Sequence, residues 1–249
     1  MDKWRRSDMV DAVLAPVSIA LLLVYHIFLF YKVRTRPMQT RMGINHKARR
    51  LWVYDMLIEN HKKNVLAVQT LRNSIMESTL MATTAVLLTA GLATYFTFGS
   101  TLKQLPGGSE GTPLSSISLT SPISPGTVSS TIKTFAVLSC FMVSFLCHTQ
   151  SIRFINHVNY MVNIPMDHLI TADYVADLME RGTFMYSIGS RIFYVAFPLL
   201  LWVFGSVPMF LCALVLLHAL YSSDFVNHDL ATSSKALQAQ HDMELQQSK

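Results

Sequence analysis

The chain has 249 residues, of which 51% are hydrophobic and only 14% charged, and its formal net charge is +5. Soluble domains carry about 25% charged residues, so a water-soluble fold of this length is excluded, because too few charges remain to cover its apolar surface. The basic residues cluster beside apolar segments, which is typical of proteins at an anionic membrane face. We therefore predict an all-α, polytopic transmembrane bundle that has the lipid bilayer as a partner and does not bind nucleic acid.

Four apolar segments are long enough to cross the hydrocarbon core, which needs about 20 helical residues. They are residues 12–31, 79–98, 134–152 and 192–223. The first is predicted to be a retained anchor rather than a signal peptide, because a basic block and no small-residue cleavage site follows it. The second repeats small side chains every four residues, from Ala85 to Thr97, which predicts close contact with a neighbouring helix.

The fourth segment is too long for one upright span. As a helix it would extend about 48 Å, whereas the core is about 30 Å thick. Pro198, Gly205 and Pro208 lie inside it. We predict one tilted helix with a kink. The alternative is a re-entrant break at residues 205–208, which would bring the C-terminus to the other face of the membrane.

The domain organisation follows from composition. Residues 1–226 are predicted to form a single membrane domain. Residues 99–130 are rich in Ser, Thr, Gly and Pro and predict a flexible loop within it. The polar residues 227–249 predict a mobile tail.

Two further helices are predicted to extend from the spans. Residues 48–75 contain neither Gly nor Pro and should form one helix, which either lies in the headgroup plane or continues the second span. Residues 172–181 should form a short helix, with Thr171 as its N-cap and Gly182 at its C-terminal end.

The orientation is predicted from the distribution of lysine and arginine, which concentrate on the cytoplasmic side of membrane proteins. Residues 32–73 hold ten of the chain's 20 basic residues. The basic loop, residues 32–78, should therefore be cytoplasmic. With four spans, the N- and C-termini are then both non-cytoplasmic.

Three segments carry a resemblance to a known family. They are Arg49-Arg50-Leu51-Trp52, the run from Lys62 to Asn73 (KKNVLAVQTLRN), and the run from Tyr174 to Gly182 (YVADLMERG). These motifs are similar to those of the plant and bacterial domain-of-unknown-function 599 family, and the resemblance covers roughly Asp8 to Val226. It implies a multi-pass membrane protein without an assigned activity or catalytic residues.

Basic side chains next to the spans are candidates for binding anionic lipid headgroups or a cytoplasmic partner protein. The candidates are Arg49, Arg50, Lys62, Lys63, Arg72 and Arg153. Acidic residues of the predicted helix 172–181 offer internal partners for some of these bases. The alternative is a solvated basic face that only sets the topology.

Ionisable or polar groups within spans are functional candidates by default. The chain offers His26, His148, His157 and His218. His26 and His148 are predicted to lie at one depth, where they could bind a metal or relay protons, or simply form hydrogen bonds at the membrane interface. Neither a nucleotide-binding loop nor HExxH nor a dinucleotide fingerprint occurs. We therefore predict no cofactor, no metal and no catalytic residues.

Three functions remain open from the sequence. The first is a non-enzymatic membrane module whose basic cytoplasmic helices bind anionic lipid or a partner protein. The second is a small-solute or ion transporter or channel, which would need to act as a homo-oligomer because four helices enclose only a thin path. The third is a membrane-embedded enzyme that uses His26 and His148. The first is preferred, so the chain is expected not to be an enzyme.

Overall fold

The computed structural model describes residues 2–58, 60–104, 125–164 and 171–225. These residues form an all-α bundle, as predicted. Its helices are α1 Asp2–Thr35, α2 Arg41–Ile58, α3 Asn60–Gln104, α4 Pro125–Met161, α5 Ala172–Leu201 and α6 Ser206–Asp224, with a 3-10 turn, Pro37–Gln39, between α1 and α2. The predicted tail, residues 227–249, lies outside the described residues.

Five helices, rather than the predicted four, are long and apolar enough to cross a membrane. These candidate spans are Val13–Thr35, Val65–Phe98, Thr131–Met161, Ala172–Leu201 and Ser206–Asp224. At most 28% of the apolar window of any span is buried inside the protein. Most apolar side chains therefore face outward, which suits solvation by lipid tails and not by water.

The predicted fourth span is two helices, so its interpretation as a single kinked helix is wrong. A turn at residues 202–205 separates α5 from α6. Gly205 has φ +151° and ψ 165°, a conformation that is open almost only to glycine. Pro208 is tolerated in the first turn of α6 because the amide that it lacks would have no helical partner there. A break at this place was the alternative interpretation, and α6 is long enough to span the membrane.

Helix α5 is longer than the predicted helix 172–181. Its predicted start is confirmed, since the Thr171 side chain accepts a hydrogen bond from the Tyr174 amide. The predicted end at Gly182 is wrong. A Cβ at Gly182 would lie 3.1 Å from the Cβ of Phe154 on α4. Gly182 therefore lets two helices approach closely and does not end one.

Helix α3 also differs from its prediction. Residues 48–75 do not form one helix, because Arg49 of α2 interacts electrostatically with Glu77 of α3, whereas one continuous helix would hold them about 42 Å apart. From Asn60 onward α3 runs without a break into the second span, which was one of the two predicted arrangements. The predicted loop, residues 99–130, is helical at both ends, and its central residues 105–124 lie outside the described residues.

Helices α3, α4 and α5 pack side by side in alternating directions and form two cores. Ala85, Phe141 and Phe193 belong to the core within the spans. Leu71, Val158 and Val175 belong to a second core, in which α2 also takes part. We call residues 36–46, which join α1 to the first turns of α2, the connector. The end of the bundle that carries the second core and the connector is the connector end.

The last helix returns to the connector end. Phe225, the residue after α6, forms an isolated antiparallel bridge with Thr40, the residue before α2. The rings of Phe28 and Phe225 lie 6.1 Å apart. The chain therefore leaves α6 at the connector end of the bundle.

Candidate functional site: a cleft at the connector end

The connector is folded tightly against the end of α1. Thr40 caps α2, since its hydroxyl accepts a hydrogen bond from the Gly43 amide at 3.2 Å. A Cβ at Gly43 would lie 2.2 Å from the carbonyl oxygen of Pro37. Only glycine fits at this position, and its small size brings the start of α2 against the 3-10 turn.

A cleft of about 570 Å³ lies between α1, the connector and α5. Its volume is in the range of small-molecule and lipid-chain sites. Apolar side chains line most of it, and polar groups lie at its two ends. The lining residues are His26, Leu29, Phe30, Val33, Pro37, Met42, Gly43, His46, Phe184, Ile188, Arg191 and Ile192. We call the end at Pro37 and His46 the mouth and the end at His26 and Arg191 the deep end.

Three exposed cations are next in sequence to residues that line the mouth. Arg34, Arg36 and Arg41 are neighbours in sequence of the lining residues Val33, Pro37 and Met42, and all three are exposed. None of these three guanidinium groups forms an ion pair or a side-chain hydrogen bond within the part of the chain that the structure describes. Their positive charge is therefore free to attract an anion.

An ion pair forms one wall of the deep end. Arg191 donates two hydrogen bonds to the carboxylate of Asp224, at 2.6 Å and 2.9 Å. The Tyr25 hydroxyl donates to the same carboxylate at 2.6 Å. Tyr25 lies ten residues before the end of α1, which corresponds to about 15 Å. These three residues, which we call the charged triad, therefore join α1, α5 and α6 at the last residue of α6, next to the Phe225 that pairs with Thr40.

Two of the predicted binding residues are engaged within the protein. Arg50 lies 2.9 Å from Asp173 and 3.1 Å from Asp177. Hydrogen bonding with Tyr54 and then with Asp173 raises the pKa of the Arg50 guanidinium. Arg49 donates to the Thr183 hydroxyl at 2.6 Å, and its burial lowers its pKa. Both arginines thus tie α2 to the start of α5.

The other predicted basic residues lie apart from the cleft. Arg72 and Arg153 are exposed, on α3 and α4. Arg72 lines a second, shallower cleft of about 460 Å³ with Val65 and Asn163. Lys62 and Lys63 fall in the first turns of α3, but their side chains lie outside the described part of the structure. Lipid or partner binding by all of these residues stays a prediction.

The four histidines do not converge. His26 lines the cleft, and its Nδ1 lies 2.7 Å from the Leu22 carbonyl oxygen. His148 is fully buried and packs against Gly189 and Tyr186 on another face of α5. His157 and His218 are exposed. No group of three metal-ligating side chains occurs among the described residues. Among the described residues, the rings of His26 and His148 form no hydrogen bond with each other, and a shared metal or proton relay stays a prediction.

Sequence reasoning missed the charged triad. Arg191 and Asp224 were visible only as the charges that flank the fourth apolar segment. The available signal was Gly205 inside that segment. A turn at Gly205 folds the segment into a hairpin and brings its two charged ends together. Tyr25 gave no signal, since a tyrosine within a span is also common at membrane interfaces.

Comparison with known proteins places the chain in a family but not in a functional class. A family model described as a protein of unknown function, DUF599, matches residues 13–229. No curated protein and no solved structure matches the chain. The match covers all five candidate spans, the connector and the triad. The chain therefore belongs to the DUF599 family of proteins of unknown function.

Proposed function

We propose that this protein is a non-enzymatic membrane module that binds an anionic lipid in the cleft between α1, the connector and α5. The observation that carries the proposal is an apolar cleft of about 570 Å³ with exposed cations beside its mouth that have no ion-pair partner among the described residues. An acyl chain would lie against Leu29, Val33 and Ile188, and the anionic headgroup would lie near Arg34, Arg36 and Arg41.

The charge distribution supports this placement of the headgroup. Each Lys or Arg near a membrane surface contributes about 1 kcal/mol to the attraction of anionic lipid. Arg50 contributes little to such attraction, because three carboxylates of α5 already surround it. The cations at the mouth have no such partner in the described ranges. The site proposed from the sequence thus moves from the middle of α2 to the connector.

The same charges support an orientation. Under the positive-inside rule the connector end is cytoplasmic. The N-terminal end of α1 is then on the opposite side of the membrane, and the residue after α6 is on the cytoplasmic side. The headgroups of the inner leaflet, where anionic lipids concentrate, are at the level of the mouth in this orientation.

The transporter and enzyme hypotheses receive less support. Both require polar side chains that converge on a path or a reaction centre. His26 and His148 instead lie against faces of α5 that are about a third of a turn apart. The lipid-binding proposal requires only the cleft and the connector.

A charge-matched pair of variants tests the headgroup site. The purified protein is placed in phosphatidylcholine nanodiscs, and its binding of added phosphatidylglycerol is measured by native mass spectrometry. The variant R34Q/R36Q/R41Q should bind about tenfold to a hundredfold more weakly, as expected for the loss of three headgroup contacts. The control R72Q/R153Q/R181Q loses the same charge at exposed positions outside this cleft and should lose much less binding than the first variant. Equal losses in the two variants would reduce the proposal to general electrostatic attraction.

A second pair tests the apolar part of the cleft. Ile188→Trp fills the cleft, whereas Val215→Trp adds the same ring on the exposed face of α6. We expect the first variant alone to lose the bound lipid. Retention of lipid by Ile188→Trp would place the acyl chain elsewhere.

A further inference from the structure

The deep end of the cleft carries hydrogen-bonding groups that an ordinary acyl chain cannot use. The Nε2 atom of His26 is buried and has no hydrogen-bond partner among the described residues. Arg191 has five N–H groups, and two of them bind Asp224. A saturated chain that reached this end would leave these polar groups unmatched, which is unfavourable in a low-dielectric site.

The deep end is polar but carries no net charge. The carboxylate of Asp224 forms a two-point ion pair with Arg191, so the positive charge of the guanidinium is already neutralised. Tyr25 holds the carboxylate in place through its hydroxyl. A second anion at this depth would therefore meet no free cation of the described residues and would lose its hydration. A neutral hydroxyl would instead find both a donor and an acceptor.

From these observations we infer that the preferred ligand of the cleft is an anionic amphiphile whose apolar body carries a neutral hydroxyl group in its distal half. The inference rests on the proposed lipid-binding function and specifies its ligand. The anion would lie at the mouth, the methylene chain along the apolar walls, and the hydroxyl beside His26 and Arg191.

Three long-chain probes of equal length test this inference. They are a saturated fatty acid, the corresponding ω-hydroxy fatty acid and the corresponding dicarboxylic acid. Each is titrated by isothermal calorimetry into the full chain in phosphatidylcholine nanodiscs. The hydroxy acid should bind about fivefold to tenfold more tightly than the saturated acid, the gain expected from one added hydrogen bond. The dicarboxylic acid should bind more weakly than the hydroxy acid.

Variants of the deep end assign the preference to its residues. His26→Leu should reduce the ratio of the two affinities to about one. The matched control His218→Leu removes an exposed histidine of α6 and should keep the full ratio. Asp224→Asn exposes the charge of Arg191 and should reverse the preference, so that the dicarboxylic acid binds more tightly than the hydroxy acid. If Asp224→Asn does not fold, the affinity ratio measured for His26→Leu alone decides whether the deep end causes the hydroxyl preference.

The outcomes separate this inference from the proposed function. Binding of all three probes with equal affinity would overturn the hydroxyl preference and leave the lipid site standing. No binding of any probe, together with normal phosphatidylglycerol binding, would also overturn it. Absence of specific phosphatidylglycerol binding by the wild type would overturn the proposed function instead.

Discussion

The ion pair between Arg191 and Asp224 gives a sharp test of the five-helix arrangement. In one continuous helix these residues, 33 apart, would be separated by about 50 Å and could not interact. In the hairpin of α5 and α6 their side chains are 2.6 Å apart. We therefore predict that Arg191→Met and Asp224→Leu are strongly coupled in a double-mutant cycle.

The size of the coupling follows from burial and geometry. The side chains of Arg191 and Asp224 are only 19% and 11% exposed. Removal of one partner of a buried ion pair costs about 3–5 kcal/mol, because the other charge is left uncompensated. Replacement of both partners by apolar side chains is often close to neutral. Each single variant should therefore lose about 3–5 kcal/mol, and the double variant much less than the sum.

The assay is the free energy of unfolding in lipid bicelles, measured by steric trapping. Tyr25→Phe, which removes one hydrogen bond to the carboxylate, should lose about 1.5–3 kcal/mol. Arg153→Met serves as the control, because this exposed arginine should change stability by less than about 0.5 kcal/mol. Additive effects of the two single variants, to within about 0.5 kcal/mol, would refute the hairpin.

Three other substitutions probe the turns and the connector. Gly205→Ala should destabilise the protein by about 1–3 kcal/mol, because φ +151° is strained for any side chain, and thermal unfolding measures the loss. Gly43→Ala should loosen the connector and increase hydrogen exchange in α2, whereas Gly91→Ala, whose Cβ meets nothing within 4 Å, should not. Arg50→Gln should increase exchange in α2 more than Lys47→Gln does, since Arg50 contacts carboxylates of α5. The contacts described would be contradicted if α2 of Gly43→Ala exchanged hydrogen at the wild-type rate. They would also be contradicted if Arg50→Gln and Lys47→Gln exchanged at equal rates.

Much of the fold was predictable because it depends on local chemistry. Apolar runs of about 20 residues mark spans whatever the tertiary arrangement, so the three runs that end by residue 152 were placed correctly. The N-cap at Thr171 was equally local, since a side-chain oxygen needs only the amide three residues ahead. The motifs around Arg49, Lys62 and Tyr174 identified the correct family, because such a resemblance depends on residue identity and spacing alone.

Two of the errors share one physical cause. Glycine indicates a break in a sequence, but its role depends on what lies opposite. Gly182 was predicted to end a helix, yet it lies inside α5 because α4 approaches closely there. Gly205 was predicted to permit a kink, yet its backbone turns the chain and adds a span. The number of candidate spans, five instead of four, changed with these two residues.

The sequence by itself determined that this chain is a membrane protein, where its apolar helices lie and which connector carries the charge. These properties depend on composition and on contacts within a few residues. Only the tertiary structure decided which charges neutralise each other and which of the described ones remain free. Arg50 forms ion pairs with carboxylates of α5, and Arg191 forms one with Asp224. Arg34 has no ion-pair partner among the described residues. Such pairing depends on the approach of distant segments, and it places the cleft between α1, the connector and α5.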